Sequence, residues 1–480
     1  MESIWKMDLE YSNTDPLPSK TDVAVIGGGM AGVLTAYFLG RQNVDVILID
    51  QEGIASGVTQ NTTAKITSQH GLIYEKLIKG AGKEHAAMYA RANQQAIEQF
   101  CSIIELNQID CDFKTLPHFV YSLTSEVQII NETLAAQKLG LPATAVSELN
   151  LPFPVKGAVR FDGQAQFHPL KFIKPLANQL SIFTHTKVLS VEEKKVITER
   201  GTVQADFVVM TAHYPFVNFP GWYFLKLYQQ RSYVLALRHA ANLDGMYIDA
   251  DSHGYSFRNH GDLLLLGGEG HRAGKHPGNC YRRLEEAAAK FYPQSTIAAR
   301  WSAQDCMSLD GIPYIGAYSR STPHLLVATG FNKWGMTNSM VAAKILTDRV
   351  LGRRNEYESA FSPQRFHPKL SMTELGPHVK ESVIGLSKGY FHRPMRELSS
   401  IPNGGAGIIR YRGKRVGAYK NEKGEVFLVS AKCPHLGCEL SWNADEHTWD
   451  CPCHGSRFDY HGNLIGNPAE EGIQFDKFSR

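Results

Sequence analysis

The residues of this chain best equipped for chemistry lie near its C-terminus. Cys433-Pro-His435-Leu-Gly-Cys438 is followed by Cys451-Pro-Cys453-His454-Gly-Ser456-Arg-Phe458, so four cysteines fall within 21 residues and each loop adds a histidine. Such clustering points to metal or redox chemistry before structural stapling. Two cysteines and two histidines could hold zinc tetrahedrally. That arrangement would leave Cys438 and Cys453 unused, and C-x-H-x-x-C with C-x-C-H is not zinc spacing. A pure disulfide knot is a third arrangement. Cys101, Cys111, Cys280 and Cys306 are scattered and read as ordinary buried or free thiols.

A second pattern opens the chain. Asp22-Val-Ala-Val-Ile26 reads as a strand, Gly27-Gly-Gly29-Met30-Ala31-Gly32 is a G-x-G-x-x-G, and Val33 to Leu39 continues as an apolar helix. Asp45 to Ile49 is the next strand, and Asp50 follows it, 18 residues beyond Gly32. The glycines allow a tight turn, close approach to a pyrophosphate and close helix–strand packing. The helix N-terminus offers unpaired N–H groups to phosphates, and a carboxylate at position 50 can accept from a ribose hydroxyl. Strand, helix, second strand and acid together predict a dinucleotide site.

The C-terminal pattern resembles, residue for residue, that of Rieske [2Fe–2S] proteins. The resemblance implies that Cys433 and Cys451 hold one iron, His435 and His454 the other, and that Cys438 and Cys453 form a loop-to-loop disulfide as in respiratory Rieske proteins. Histidine in place of two thiolates raises the potential, to ~−150 to +300 mV. Ser456 resembles the hydroxyl that bonds a cluster sulfur. Gly466-Asn-Pro-Ala469 resembles the loop that covers the cluster. Phe458 stands where the respiratory pattern has a tyrosine. One donor fewer predicts a potential below that of respiratory centres.

The blocks Leu309-Asp-Gly-Ile-Pro-Tyr-Ile-Gly316 and Leu325 to Asn338 resemble the closing motif of the D-amino acid oxidase/glycine oxidase-like FAD oxidoreductases. Ala55 to Thr67 is similar to that family's segment beside the flavin. The resemblance covers roughly residues 20 to 355 and implies FAD as cofactor. Its contacts would be Gly27, Gly29, Met30, Ala31, Gly32 and Asp50 at the first turn. Thr62, Thr63 and Ala64 would follow beside the ring. Gly330, Trp334, Gly335, Met336 and Thr337 would come from the closing turn. Family members that act on amino acids clamp the carboxylate with arginine, whose fork matches it bidentately. Arg258 sits where the family places that residue, Tyr255 would line the same cavity, and Lys65 could reach flavin N5 or an activated oxygen. His70 and His213 read as structural.

These residues need elements to hold them. The expected architecture is α/β: a FAD-binding Rossmann-like domain with an α+β substrate domain, plus a small all-β Rieske domain. The oxidoreductase half would span 21–352. Its FAD-binding parts would be about 21–82, 151–215 and 301–352, and its substrate domain about 83–150 and 216–300. The latter carries the helical Glu84 to Leu106, strands at Tyr233–Leu237 and Asp262–Leu266, and the helix Tyr281–Phe291. Residues 353–397 would be a linker with a short helix near Val379–Leu386, and 398–480 the Rieske domain.

Lys and Arg total 50 against 47 Asp and Glu, a net charge of +3 over 480 residues. That is too balanced for a nucleic-acid binder. The basic run Arg410 to Arg415 reads as a solvated strand and turn. No apolar run approaches the ~18 residues of a membrane helix, and the expected location is cytoplasmic. The combination predicts a dehydrogenase that oxidises a small amine, amino acid or hydroxy acid through FAD. It would pass electrons singly to its own cluster and then to an external acceptor. The alternative is a relay between protein partners, or from NAD(P)H, with no small C–H substrate.

Overall fold

The computed structural model describes the chain except residues 1, 8, 10, 12–14, 252–253, 373, 377–379, 381–396 and 476–480. The predicted helix at Val379–Leu386 lies, but for Lys380, outside the described residues.

The first sheet has the strand order Tyr314–Ser319, Thr322–Thr329, Gly201–Met210, Lys20–Ile26, Val46–Ile49, Ser181–Phe183. The pairs from Thr322–Thr329 to Ser181–Phe183 are parallel. All four residues of Val46–Ile49 are buried, as a parallel strand covered on both faces must be. Helix Met30–Gly40 packs against helix Gly335–Val350 on one side of this sheet. The strands at 20–26, 46–49, 201–210 and 322–329 all end at one place. Open parallel sheets bind ligands in the crevice outside these carboxyl ends.

The second sheet has nine strands. Its spine runs Thr296–Ser308, Leu227–Arg238, Leu263–Arg272, Ser256–His260, Met246–Asp249, Lys114–Ser122, Gly157–Gln166, and it is antiparallel except between Met246–Asp249 and Lys114–Ser122. One segment expected in the FAD-binding part belongs here instead, and another crosses the boundary expected at 300/301. Gly157–Gln166 pairs with Lys114–Ser122, and Thr296–Ser308 pairs along Leu227–Arg238. Helix Lys83–Leu106, expected in the substrate domain, packs against Gly335–Val350. A period-two pattern says that a strand forms, and long-range pairing decides which sheet receives it.

The C-terminal domain holds a three-stranded and a four-stranded antiparallel sheet. The first part of the expected linker is not free. Arg365 forms a buried two-pronged ion pair with Asp310, at 2.7 and 2.8 Å, and its guanidinium lies 4.1 Å from the Tyr314 ring centre. Leu370 is buried against Gly80. The polar N-terminal segment also packs: the Trp5 indole is buried and its Nε1 donates to the Thr62 carbonyl at 2.6 Å. Among the described residues, no helix is long and apolar enough to cross a membrane.

Candidate active site and metal centre

A cavity of about 830 Å³ lies where the parallel strands end. One wall is the glycine turn, where Gly27, Gly29, Met30 and Ala31 face it with Asp50. Gly27 has φ +109° and its Cβ would press on the Thr211–Ala212 peptide. Gly32 does not line the cavity. A Cβ there would overlap the Gly27 carbonyl oxygen, so glycine is required for the helix to start so close. Gly29 leaves open space, with Thr59 Oγ1 the nearest atom to an added Cβ, at 3.4 Å. This is room for a phosphate at a helix N-terminus. The Asp50 carboxylate accepts from Gly28 N at 2.6 Å and Glu52 N at 2.8 Å. Thr59 was not singled out from sequence. Its hydroxyl accepts from Met30 N at 3.1 Å.

A second wall comes from Thr62, Thr63 and Lys65, and a third from Gly330, Trp334, Gly335 and Met336. Ala64 and Thr337 are buried behind these walls. Thr337 Oγ1 donates to the Thr67 carbonyl at 3.0 Å. Trp334 stacks on His70, with centroids 5.0 Å apart and planes at 14°, and meets His118 edge-on. His70 bonds Tyr89 and Thr67, and burial pushes its pKa down to about 3. Its role is packing, in keeping with its sequence reading. Lys65 is different. Burial first, and the Arg258 charge second, pull its ammonium down to about 7. An amine that is neutral near pH 7 can take up a proton from a group bound in the cavity.

Arg258 and Tyr255 do not line the cavity. Arg258 is 1% exposed and its Nη1 donates to the carbonyls of Thr63 at 2.6 Å and Ala64 at 2.9 Å. Its guanidinium sits 5.4 Å from the Trp5 ring centre. It therefore fixes the segment behind the cavity through Nη1, while its Nη2 is buried without a hydrogen-bond partner. Tyr255 packs on Phe257 and Phe291. The arginines that do line the cavity are Arg231, from the second sheet, and Arg457, from the C-terminal domain. Arg231 is 3% exposed and bonds Ser302 and, at 2.8 Å, Glu446. Its Nε has no hydrogen-bond partner. Nothing in its local sequence separates Arg231 from other strand arginines.

In the C-terminal domain the four candidate metal ligands converge. The thiols of Cys433 and Cys451 hydrogen-bond each other and are buried. The rings of His435 and His454 are 4.9 Å apart at 90°. His435 Nε2 donates to Asn218 Oδ1 at 3.0 Å, which leaves Nδ1 as the lone-pair nitrogen. That buried Nδ1 has no hydrogen-bond partner. Gly455 N donates to the Cys451 carbonyl at 2.9 Å and holds the second loop in a turn. Cys438 and Cys453 form a disulfide. Ser456 Oγ accepts from Ala469 N at 3.0 Å and donates toward Cys433. A donor set of two facing thiols and two imidazoles with an available Nδ1 fits a [2Fe–2S] centre with mixed ligation.

The two halves are bolted together. Glu446 accepts from Arg231 at 2.8 Å and from Tyr281 at 2.9 Å. Asp445 receives His276 Nε2 and Cys280 N, each at 2.7 Å. Asn467 Nδ2 donates to the Tyr214 carbonyl at 2.8 Å. His271, His276 and Cys280 bring three ligand-type atoms within 4.8 Å of one another. Hydrogen bonds to Asp445, Tyr233 and the Arg272 carbonyl already occupy the histidines, so this group works as a fastener. The C-terminal domain also walls the cavity, through Arg457, Asn467 and Glu470.

A family model described as FAD dependent oxidoreductase matches residues 22–349, and one described as Rieske [2Fe-2S] domain matches 393–476. Along nearly its whole length the chain is 36% identical to the putative Rieske 2Fe-2S iron-sulfur protein YhfW of Bacillus subtilis, covering 98% of this chain and 96% of that one. Among solved structures it is similar in fold to glycine oxidase from Geobacillus kaustophilus (TM-score 0.59, 19% identity, 73% of this chain and 100% of that one). L-amino acid deaminase from Proteus vulgaris is likewise similar (TM-score 0.61, 17% identity, 75% and 97%). The chain belongs to the FAD-dependent oxidoreductases of the D-amino acid oxidase type, joined to a C-terminal Rieske [2Fe–2S] domain.

Proposed function

We propose that this chain oxidises a small amino-acid-type substrate at the C–H beside its nitrogen and delivers the electrons singly, through its own cluster, to an outside acceptor. Bound FAD supplies a two-electron acceptor and the Rieske cluster a one-electron carrier. The observation that carries the reading is that one cavity holds the dinucleotide turn on one wall and Gln229 on another, and Gln229 donates to the His454 carbonyl at 2.7 Å.

In this reading Gly27, Gly29 and Asp50 seat the dinucleotide, and Thr62, Thr63, Gly330 and Trp334 shape the space beside its ring. Lys65 Nζ accepts the proton of the substrate ammonium, leaving the free amine that oxidation requires. Arg231 takes the carboxylate-facing place expected for Arg258, because it lines the cavity and its Nε is without a hydrogen-bond partner. Cys433, His435, Cys451 and His454 are the metal ligands. A built-in one-electron acceptor favours a dehydrogenase over an oxidase.

An anaerobic titration with amino acids, N-methyl amines and hydroxy acids tests this. Flavin absorbance and the low-temperature EPR of the cluster are followed together. Bleaching of the flavin with rise of the cluster signal by an amino acid is the expected result. If only NAD(P)H or a reduced protein partner reduces the flavin, the chain is a relay and the proposal falls. Oxygen reoxidising the flavin faster than the cluster is reduced would overturn the dehydrogenase assignment.

A further inference from the structure

The loop Cys451–Gly455 has an unusual double face. It carries two of the candidate cluster ligands, Cys451 and His454, and is held in a turn where Gly455 N donates to the Cys451 carbonyl at 2.9 Å. Its other face presents the carbonyls of Pro452, Cys453 and His454, and each meets a side chain of the flavoprotein's second sheet. Arg272 Nε donates to the Pro452 carbonyl at 3.2 Å and Arg272 Nη2 to the Cys453 carbonyl at 3.2 Å. Gln229 Nε2 donates to the His454 carbonyl at 2.7 Å. Next along, Gln304 Nε2 donates to the Gly455 carbonyl at 2.8 Å.

Gln229 is fully engaged in this. It is 1% exposed, also donates to the Asn467 carbonyl at 3.1 Å, and accepts from Gln304 at 2.7 Å and His213 at 3.2 Å. The fit is tight enough to require glycines. A Cβ on Gly455 would come within 2.7 Å of the Gln229 side chain, and one on Gly274 would overlap the Pro452 backbone.

We propose that Arg272 and Gln229 of the oxidoreductase raise the reduction potential of the Rieske cluster, acting on the carbonyls of three successive residues in the loop that carries Cys451 and His454. A donor on a peptide carbonyl withdraws electron density from that peptide, and such chains reinforce one another in a low-dielectric interior. Donors and positive charge around the ligands stabilise the reduced, more negative cluster. Arg272 adds a positive charge at the far end of two of the three peptides. The docked oxidoreductase thereby supplies, from outside the metal-binding domain, donors that offset the one missing at Phe458. The inference rests on Cys451 being a cluster ligand and is independent of the substrate.

The test is an EPR-monitored redox titration of the full, cluster-loaded chain. Arg272→Met should make the cluster harder to reduce by about ten-fold in equilibrium constant, about 59 mV for one electron. Gln229→Met should lower the potential less, and Arg272→Lys should fall between Arg272→Met and wild type. Lys187→Ala removes a different bond to the same domain, Lys187 Nζ to the Glu470 carbonyl, and should leave the potential unchanged. Small-angle scattering on the same samples separates tuning from undocking. A lowered potential at unchanged radius of gyration supports the proposal. A wild-type potential in both methionine variants overturns it, as does a potential that falls only in variants that expand. A cluster whose EPR is unaltered by Cys451→Ser would instead remove the ligand assignment on which the inference stands.

Discussion

The cluster loops and the flavin chamber are built on opposite plans. The loops draw all four candidate ligands from 22 consecutive residues, 433–454, and their own backbone bonds close each turn, Gly437 N to the Cys433 carbonyl and Gly455 N to the Cys451 carbonyl. The chamber draws its walls from Gly27 to Glu470, across both large sheets and the C-terminal domain. A local site survives changes elsewhere. A chamber assembled over long range depends on every partner being in register. The difference also explains where the polar groups are spent. In the loops they aim at the metal position, whereas around the chamber many aim at other protein groups, as Arg258 does.

Breaking one site and leaving the other is the sharpest check on that contrast. Cys451→Ala should abolish the cluster EPR signal and bring iron content to background, while flavin absorbance stays at wild-type occupancy. Conversely, Gly32→Val forces a side chain into the Gly27 carbonyl. It should empty the flavin site, measured as the flavin-to-protein ratio, and leave the cluster spectrum intact. Loss of both cofactors in either variant would mean the two sites are not separable.

Within the chamber, Lys65→Met should lower kcat/KM by ~10²–10⁴-fold, the usual worth of a positioned proton acceptor. In the wild type kcat/KM should rise with pH through about 7 as Lys65 loses its proton. The variant should lose that limb. The sign for stability follows from the same depression. The folded chain prefers the neutral amine, so wild-type stability rises between about pH 7 and the unfolded value near ~10.4. Lys65→Met should therefore gain more stability, relative to wild type, at pH 6 than at pH 9 by denaturant titration.

Smaller effects sharpen the comparison further. Cys438→Ser opens a disulfide closing a separation of 15 residues. It should cost about 2–4 kcal/mol in stability of the C-terminal domain under oxidising conditions. Arg258→Met leaves the buried carbonyls of Thr63 and Ala64 without a donor. A cost of about 1–3 kcal/mol in global stability is expected, with no selective rise in KM for acidic over uncharged substrates. A selective rise would restore Arg258 as the carboxylate clamp.

What could be read in the sequence was what is contiguous. The strand–glycine turn–helix–strand–Asp50 unit and the two Cys/His loops are legible because glycine sterics and ligand spacing act over a few residues. The closing helix, which the apolar pattern after the glycine turn places at Thr337 to Leu351, is observed at Gly335–Val350, because both signals are local. Arg258 lies away from the cavity for the opposite reason. Its position along the strand matches a substrate-facing arginine, but Trp5 and the Thr62–Ala64 backbone, 190 and more residues away in sequence, occupy the space in front of it. Gln229, Gln304 and Arg272 carry no sequence signal at all. A glutamine in a strand acquires meaning only from what docks on it.

By itself, then, the sequence determined which cofactors this protein is built for, since those choices are written in short-range geometry: φ-positive glycines, a helix N-terminus, thiols and imidazoles at fixed spacing. Only the tertiary structure decided which sheet took the strands at 157–166 and 296–308, which arginine faces the chamber, and that the metal-binding domain forms part of the chamber wall. Those outcomes depend on pairing and packing between segments hundreds of residues apart, and local residue type does not specify them.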